Sequence, residues 1–239
     1  MTAEDTHDQK TFSIHVGLIV FFIAYALIVA FKPAFVLQDP DTLWHIRSGQ
    51  WILQHARFPQ TDGFSHTLFG NPWIAKEWLS QVILALAFEI GGWPGVVALT
   101  AATGAAIAAI LTVYLTRVLR FSVGLGLAVV TFCLMNPHLL ARPHIFAYLI
   151  LACWLLLLLE AYEDNKPPPI ALAALMVLWA NVHSTFVLGL MLFYIVAGFY
   201  ILRHLRLRKI GILKRTLFVT LLVTLAAMVT PYGIAPLIL

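Results

Sequence analysis

Charge is what this sequence has least of. Asp, Glu, Lys and Arg make up 11% of its 239 residues, against about 25% in a soluble domain. So few charges cannot build a water-facing surface, so most of the surface must meet lipid. Hydrophobic residues reach 61%, and mean hydropathy is +0.90. Cysteine is also scarce. Cys133 and Cys153 both lie in apolar runs and read as packing residues, which excludes a disulfide framework. The formal charge is only +4; it serves topology, and no nucleic-acid partner is expected. A cleavable leader is not expected either. Met1–Lys10 carries Glu4, Asp5 and Asp8 against one lysine, and the following apolar run ends at Lys32-Pro33 without a small-residue cleavage site. A retained first helix is therefore expected. Charged mid-span residues and a clear inverted repeat are absent, which argues against a transporter.

What is present is a series of apolar runs near the length a bilayer requires, about 20 residues. Seven spans are expected, at roughly 12–36, 94–116, 121–135, 144–159, 170–181, 184–202 and 212–229. The expected fold is all-α, with residues 1–239 forming a single transmembrane domain. Alternating the spans puts Arg117, Arg120, Lys166 and the Arg203–Arg215 cluster on one side. Basic loops belong in the cytoplasm. The amino terminus is then cytoplasmic, and the long 37–93 loop is extracytoplasmic.

That loop reads as two interfacial helices. Asp39-Pro40-Asp41-Thr42 is a helix start, with Asp39 as cap and Pro40 at the first helical position. Trp44, Ser48, Trp51 and His55 then fall on one helix face. Gly70-Asn71-Pro72 is a turn, and a second helix is expected from about Pro72 to Ile90, with Trp73, Glu77 and Trp78 near its start. Gly91-Gly92-Trp93-Pro94-Gly95 breaks it from the second span.

Candidate chemistry gathers on the outer side of this topology. Asp39 and Asp41 can divide labour, one accepting a proton from an attacking hydroxyl and the other holding a divalent metal or a neighbouring cation. The plainer reading is a cap and a dipole-favoured acid. His45, one turn after Asp41, can share its face. Glu77 sits among tryptophans. Arg142-Pro143-His144 opens the fourth span, where a guanidinium suits phosphate oxygens. Asn181-Val182-His183 interrupts an apolar run. Asp62 and His66 lie in turn-rich sequence and read as structural. The histidines 45, 66, 138, 144 and 183 offer a weaker metal or haem reading, because they look like turn residues and no Cys-x-x-Cys-His is present.

The stretches Asp39-Pro40-Asp41-Thr42-Leu43-Trp44-His45 and Pro72-Trp73-Ile74-Ala75-Lys76-Glu77-Trp78-Leu79 resemble bacterial polytopic glycosyltransferases of the GT-C superfold. Trp179-Ala180-Asn181-Val182-His183-Ser184 and Pro231-Tyr232-Gly233 are similar to that group as well. The resemblance implies a seven-helix module whose first outer loop holds two membrane-parallel helices and a catalytic carboxylate. It implies a polyprenyl-phosphate-linked sugar as donor, at the outer face of a bacterial inner membrane. Asp39 or Asp41 would be the base. His45, Glu77, Arg142, His144 and His183 would be substrate contacts by position. Enzymes of the superfold usually carry more spans and often a soluble carboxy-terminal domain. The alternative expectation is therefore a truncated or non-catalytic member, serving as an accessory or structural subunit of a larger membrane complex.

Overall fold

The structure is a computed structural model that describes residues 3–238. All regular structure among these residues is helical, apart from one isolated antiparallel bridge between Thr61 and Pro72. The helices are α1 (Ala3–Phe31), α2 (Pro33–Val36), α3 (Asp41–His55), α4 (Trp78–Val118), α5 (Phe121–Met135), α6 (His144–Glu163), α7 (Ala171–Val182), α8 (Phe186–Arg206), α9 (Ile210–Ala226) and α10 (Ala235–Ile238), with a 3-10 turn at Asn136–His138. Five segments are long and apolar enough to cross a membrane: Thr11–Phe31, Trp78–Val118, Phe121–His138, His144–Glu163 and Phe186–Arg206. Of the seven expected spans, the fifth is α7, only 12 residues long, and the seventh is α9, with 17. Phe12, Leu18, Ile19, Phe22, Ile23 and Leu27 of α1 all stand exposed. Such a surface needs lipid as its solvent, so the chain is an all-α polytopic membrane protein.

The described chain forms two compact units, one of residues 1–46 and 84–152 and the other of residues 47–83 and 153–239. In the first unit small residues set the packing. Ala24 of α1 meets Ala105 and Ala108 of α4. A side chain at Gly104 would sit 2.8 Å from Leu139. Removing side-chain bulk lets helix backbones approach closely, which is the main source of helix association in lipid. Within α4 the helix is interrupted at Gly92, with φ 58° and ψ −149°, a region open essentially to glycine alone. The break expected at residues 91–95 is therefore present. Pro94, with no N–H to give, follows two residues later.

In the second unit the core is aromatic. Trp154, Trp179, Phe186, Phe193 and Tyr200 are all buried. Trp154 meets Trp179 edge-on at 5.8 Å and Phe193 at 6.0 Å. The Tyr200 hydroxyl donates to the Ala161 carbonyl at 2.5 Å. One expectation fails in this unit. The second loop helix does not begin near Pro72; it begins at Trp78. Residues 71–73 are instead paired with 60–62, since Asp62 N donates to Asn71 O at 2.8 Å and Trp73 N to Gln60 O at 2.9 Å. Backbone amides committed to that bridge are not available for helix, so Trp73 and Glu77 lie ahead of α4.

Asp62 organises this bridge. Its Oδ1 accepts from the amides of Phe64 and Ser65, at 2.8 and 2.9 Å, and its Oδ2 accepts from the Ser65 hydroxyl. The Ser65 hydroxyl bond, followed by the two amide bonds, holds the Asp62 pKa below the usual 3.8. A carboxylate with a lower pKa folded than unfolded stabilises above its unfolded value, and the contribution fades as pH falls from 3.8 through the folded pKa. Hydrogen-exchange protection of the Phe64 and Ser65 amides is therefore expected to fall in that acid range. Asp62→Ala is expected to remove it at every pH, and unchanged protection in that variant would show that the loop does not depend on the carboxylate.

Candidate functional site

The first unit brings three of the expected site residues together. α1 stops at Lys32, because Pro33 cannot continue its hydrogen-bond ladder. One further turn, α2, carries the chain to Val36. There the Val36 carbonyl accepts the amide of Ala141 at 2.9 Å. That bond pins the turn before α6 beside the start of α3. Arg142 is consequently placed next to both aspartates. Its Nη1 donates to Asp39 Oδ2 at 3.0 Å and its Nη2 to Asp41 Oδ2 at 2.8 Å.

The two carboxylates are not equivalent. Asp39 Oδ1 also accepts the Asp41 amide at 2.9 Å, as an N-cap does. Its side chain is 13% exposed, against 56% for Asp41. Asp39 is therefore occupied by capping and by Arg142, while Asp41 faces outward. The trio carries a formal charge of −1, from two carboxylates and one guanidinium. Two of the five N–H donors of Arg142 are in use here.

His144, two residues on, turns its Nε2 to the His138 carbonyl at 2.9 Å and packs edge-on against Tyr148 at 5.3 Å. His45 is buried on α3, whereas Asp41 is exposed and turned to Arg142. Among the described residues no three His, Cys, Asp or Glu side chains are grouped as metal ligands. Elsewhere in this unit an apolar cavity of about 490 Å³ lies between α1, α4 and α5. Ile19, Ile23, Ala108, Leu125 and Phe132 are among its lining residues.

The second unit joins Glu77 to His183. His183 Nε2 lies 3.1 Å from Glu77 Oε1. The partners of the other nitrogen fix the tautomer. Nδ1 accepts the Thr185 amide at 3.1 Å and lies 3.0 Å from the Thr185 hydroxyl. A nitrogen that accepts an N–H carries no proton, so in the neutral ring the proton is on Nε2 and points at Glu77. The Thr185 hydroxyl in turn accepts the indole N–H of buried Trp179 at 3.1 Å.

Asn181 is a structural tie beside this pair. Its Oδ1 accepts the Trp78 indole N–H at 2.6 Å, and its Nδ2 donates to the carbonyls of Val177 and Val229 at 2.7 and 2.8 Å. Tyr232 ties the carboxy-terminal turn to the loop. Its hydroxyl donates to Pro59 O at 2.9 Å and accepts the Ala75 amide at 3.1 Å, and burial raises its pKa.

Reasoning from sequence missed Thr185 and the pairing of Glu77 with His183. Nothing local marks either, since the partners belong to distant parts of the chain. The proximity of Arg142 to the aspartates was visible only as a shared side of the membrane. No family model, curated protein or solved structure matches the chain.

Proposed function

We propose that this chain is a membrane glycosyltransferase-like protein that transfers a sugar from a polyprenyl-phosphate donor at the extracytoplasmic face of a bacterial inner membrane, with its amino terminus cytoplasmic. The observation that carries the reading is the Asp39–Asp41–Arg142 cluster, which joins an exposed carboxylate to a guanidinium. The apolar cavity between α1, α4 and α5 suits the tail of a lipid-linked donor. Asp41 takes the proton of the acceptor hydroxyl as that oxygen bonds to the anomeric carbon. The bond from that carbon to the phosphate oxygen breaks, and polyprenyl phosphate leaves with its new charge beside Arg142. Glu77 and His183, paired in the second unit, are proposed as substrate contacts. His45 and His144 are proposed in the same role by position.

Native mass spectrometry of the detergent-purified chain tests the donor. A polyprenyl phosphate is expected to be retained over the polyprenol of equal length. Arg142→Gln is expected to weaken that retention about 10- to 100-fold, the range for a charge-assisted hydrogen bond to phosphate. Equal retention of the two lipids would sink the reading. If the chain were instead found only in a larger assembly, without that lipid and without turnover, the cluster would be a helix cap reused in a structural subunit.

A further inference from the structure

We propose that the second unit holds a binding site for an anionic sugar, in a cleft bounded by Trp51, Arg57, Gln60 and Tyr232. The cleft measures about 570 Å³ and is also lined by Phe58 and Thr61. Small-molecule sites run from about 300 to 1,000 Å³, so a sugar phosphate or a larger saccharide has room. The inference does not rest on the transfer reaction, and a binding protein without activity would use the cleft in the same way.

The chemistry of the wall selects the ligand. Arg57 is the charged residue of the lining, and no carboxylate lines the cleft among the described residues. Its guanidinium sits over the Trp51 ring, 5.5 Å from the centroid. Trp51 itself stacks on His55 at 4.3 Å, with the rings 17° from parallel. An exposed cation fixed on an aromatic platform is pre-organised to meet an anion, because less side-chain freedom remains to be lost on binding. Gln60 and Thr61 are exposed and add amide and hydroxyl groups at the rim. Half-buried Tyr232 and exposed Phe58 offer ring surface of the kind that the C–H face of a pyranose covers. An inorganic anion would use Arg57 and leave the rings unused. A neutral sugar would use the rings and leave Arg57 unmatched.

The wall is also held rigid. The Tyr232 hydroxyl is committed to Pro59 and Ala75, so Tyr232 contributes its ring rather than its oxygen. Phe58 packs edge-on against Trp78 at 5.0 Å and against Tyr232 at 6.2 Å. At the end of α3, Ala56 adopts φ 49°, a left-handed conformation that glycine or asparagine takes at lower cost. That turn carries the chain back so that Arg57 covers Trp51.

Isothermal titration of the full chain, in micelles with a neutral headgroup, tests the site. Glucose 1-phosphate is the probe, with glucose and inorganic phosphate as controls. Glucose 1-phosphate is expected to bind at least about tenfold more tightly than either control, since it adds the charge-assisted contact with Arg57 that glucose lacks and the sugar-face contact with the rings that phosphate lacks. Arg57→Gln is expected to weaken its binding about 10- to 100-fold, and Arg57→Lys, which keeps the charge, is expected to retain part of the affinity. Thermal unfolding of each variant shows whether a loss is local. No heat from glucose 1-phosphate, or equal affinity in a folded Arg57→Gln protein, would overturn the proposal. Inorganic phosphate binding as tightly as glucose 1-phosphate would also overturn it, reducing the site to an unselective cation. Nanodiscs with and without phosphatidylinositol separate the sources. Competition with glucose 1-phosphate identifies a lipid headgroup as the occupant, and lack of competition identifies a soluble one. Asp41→Asn, which tests the transfer reaction, is expected to leave this binding unchanged, so the two readings fail separately.

Discussion

Replacing Asp41 with asparagine is expected to lower sugar transfer about 100- to 10,000-fold, the usual contribution of a positioned general base. The fold should survive the change. Asp41 is 56% exposed, and an amide oxygen can still accept from Arg142 Nη2. Asp39→Asn makes the informative comparison. Asparagine caps a helix about as well as aspartate, so the bond from the Asp41 amide should persist. What Asp39→Asn removes is one charge beside Arg142, and a neutral acceptor in place of a charged one is worth about a further tenfold at most. The expected pattern is a large loss for Asp41→Asn and a small one for Asp39→Asn, read as turnover on a polyprenyl-phosphate sugar. A reversed pattern would move the base to Asp39. Full activity in both variants would remove the carboxylates from the mechanism.

The cluster also constrains how a donor would engage Arg142. Two carboxylates already share its guanidinium, so an incoming phosphate meets a trio whose formal charge is −1. Binding is favourable only if the phosphate uses the remaining N–H donors or displaces Asp41. Displacement would turn the more exposed carboxylate away from its cation and toward the acceptor. Asp39, tied by its cap bond, would keep Arg142 in place during that exchange. A guanidinium suits this role better than an ammonium, because its donors fan out in fixed directions.

Hydrophobic runs made the helices legible, because lipid imposes length and composition together. The third expected span coincides with α5, Phe121–Met135, and the break at residues 91–95 reappears at Gly92. The short α7 and α9 were legible as apolar runs, but their helical extent depends on where turns take over the backbone. The start of α4 was misplaced because Pro72-Trp73 looks like a helix opening in isolation. The backbone pairing that claims it comes from residues 60–62. Asp39 as an N-cap was readable, since a cap is a local contact. The Arg142 fork was not, as its partners stand 103 and 101 positions away. The cleft around Arg57 was invisible for the same reason, because Tyr232 enters it from the far end of the chain.

A large structural effect is expected at Gly189. A Cβ there would overlap the Trp179 indole, lying 2.8 Å from Cε3 and 3.0 Å from Cη2, with Cζ3 closer still. The ring has nowhere to go, because Trp179 is 1% exposed and rests edge-on against buried Trp154. Overpacking of this kind costs about 1–3 kcal/mol for an added methyl, so Gly189→Ala is expected to lower the thermal midpoint of the purified protein clearly. The consequence should reach beyond packing. Trp179 donates its indole N–H to Thr185, and Thr185 fixes the His183 ring whose other nitrogen meets Glu77. A displaced indole would loosen the Thr185 hydroxyl beside His183 Nδ1, while the Thr185 amide that sets the tautomer would stay in place. Thr185→Val isolates this second effect, since it removes the hydroxyl without adding volume near Trp179. Gly189→Ala is expected to shift both the thermal midpoint and the His183 ring signals in nitrogen NMR. Thr185→Val should shift the His183 signals with the smaller loss of stability. An unchanged midpoint in Gly189→Ala would mean that the Trp154–Trp179 pair yields easily, and that close helix approach at Gly189 is not what holds the second unit together.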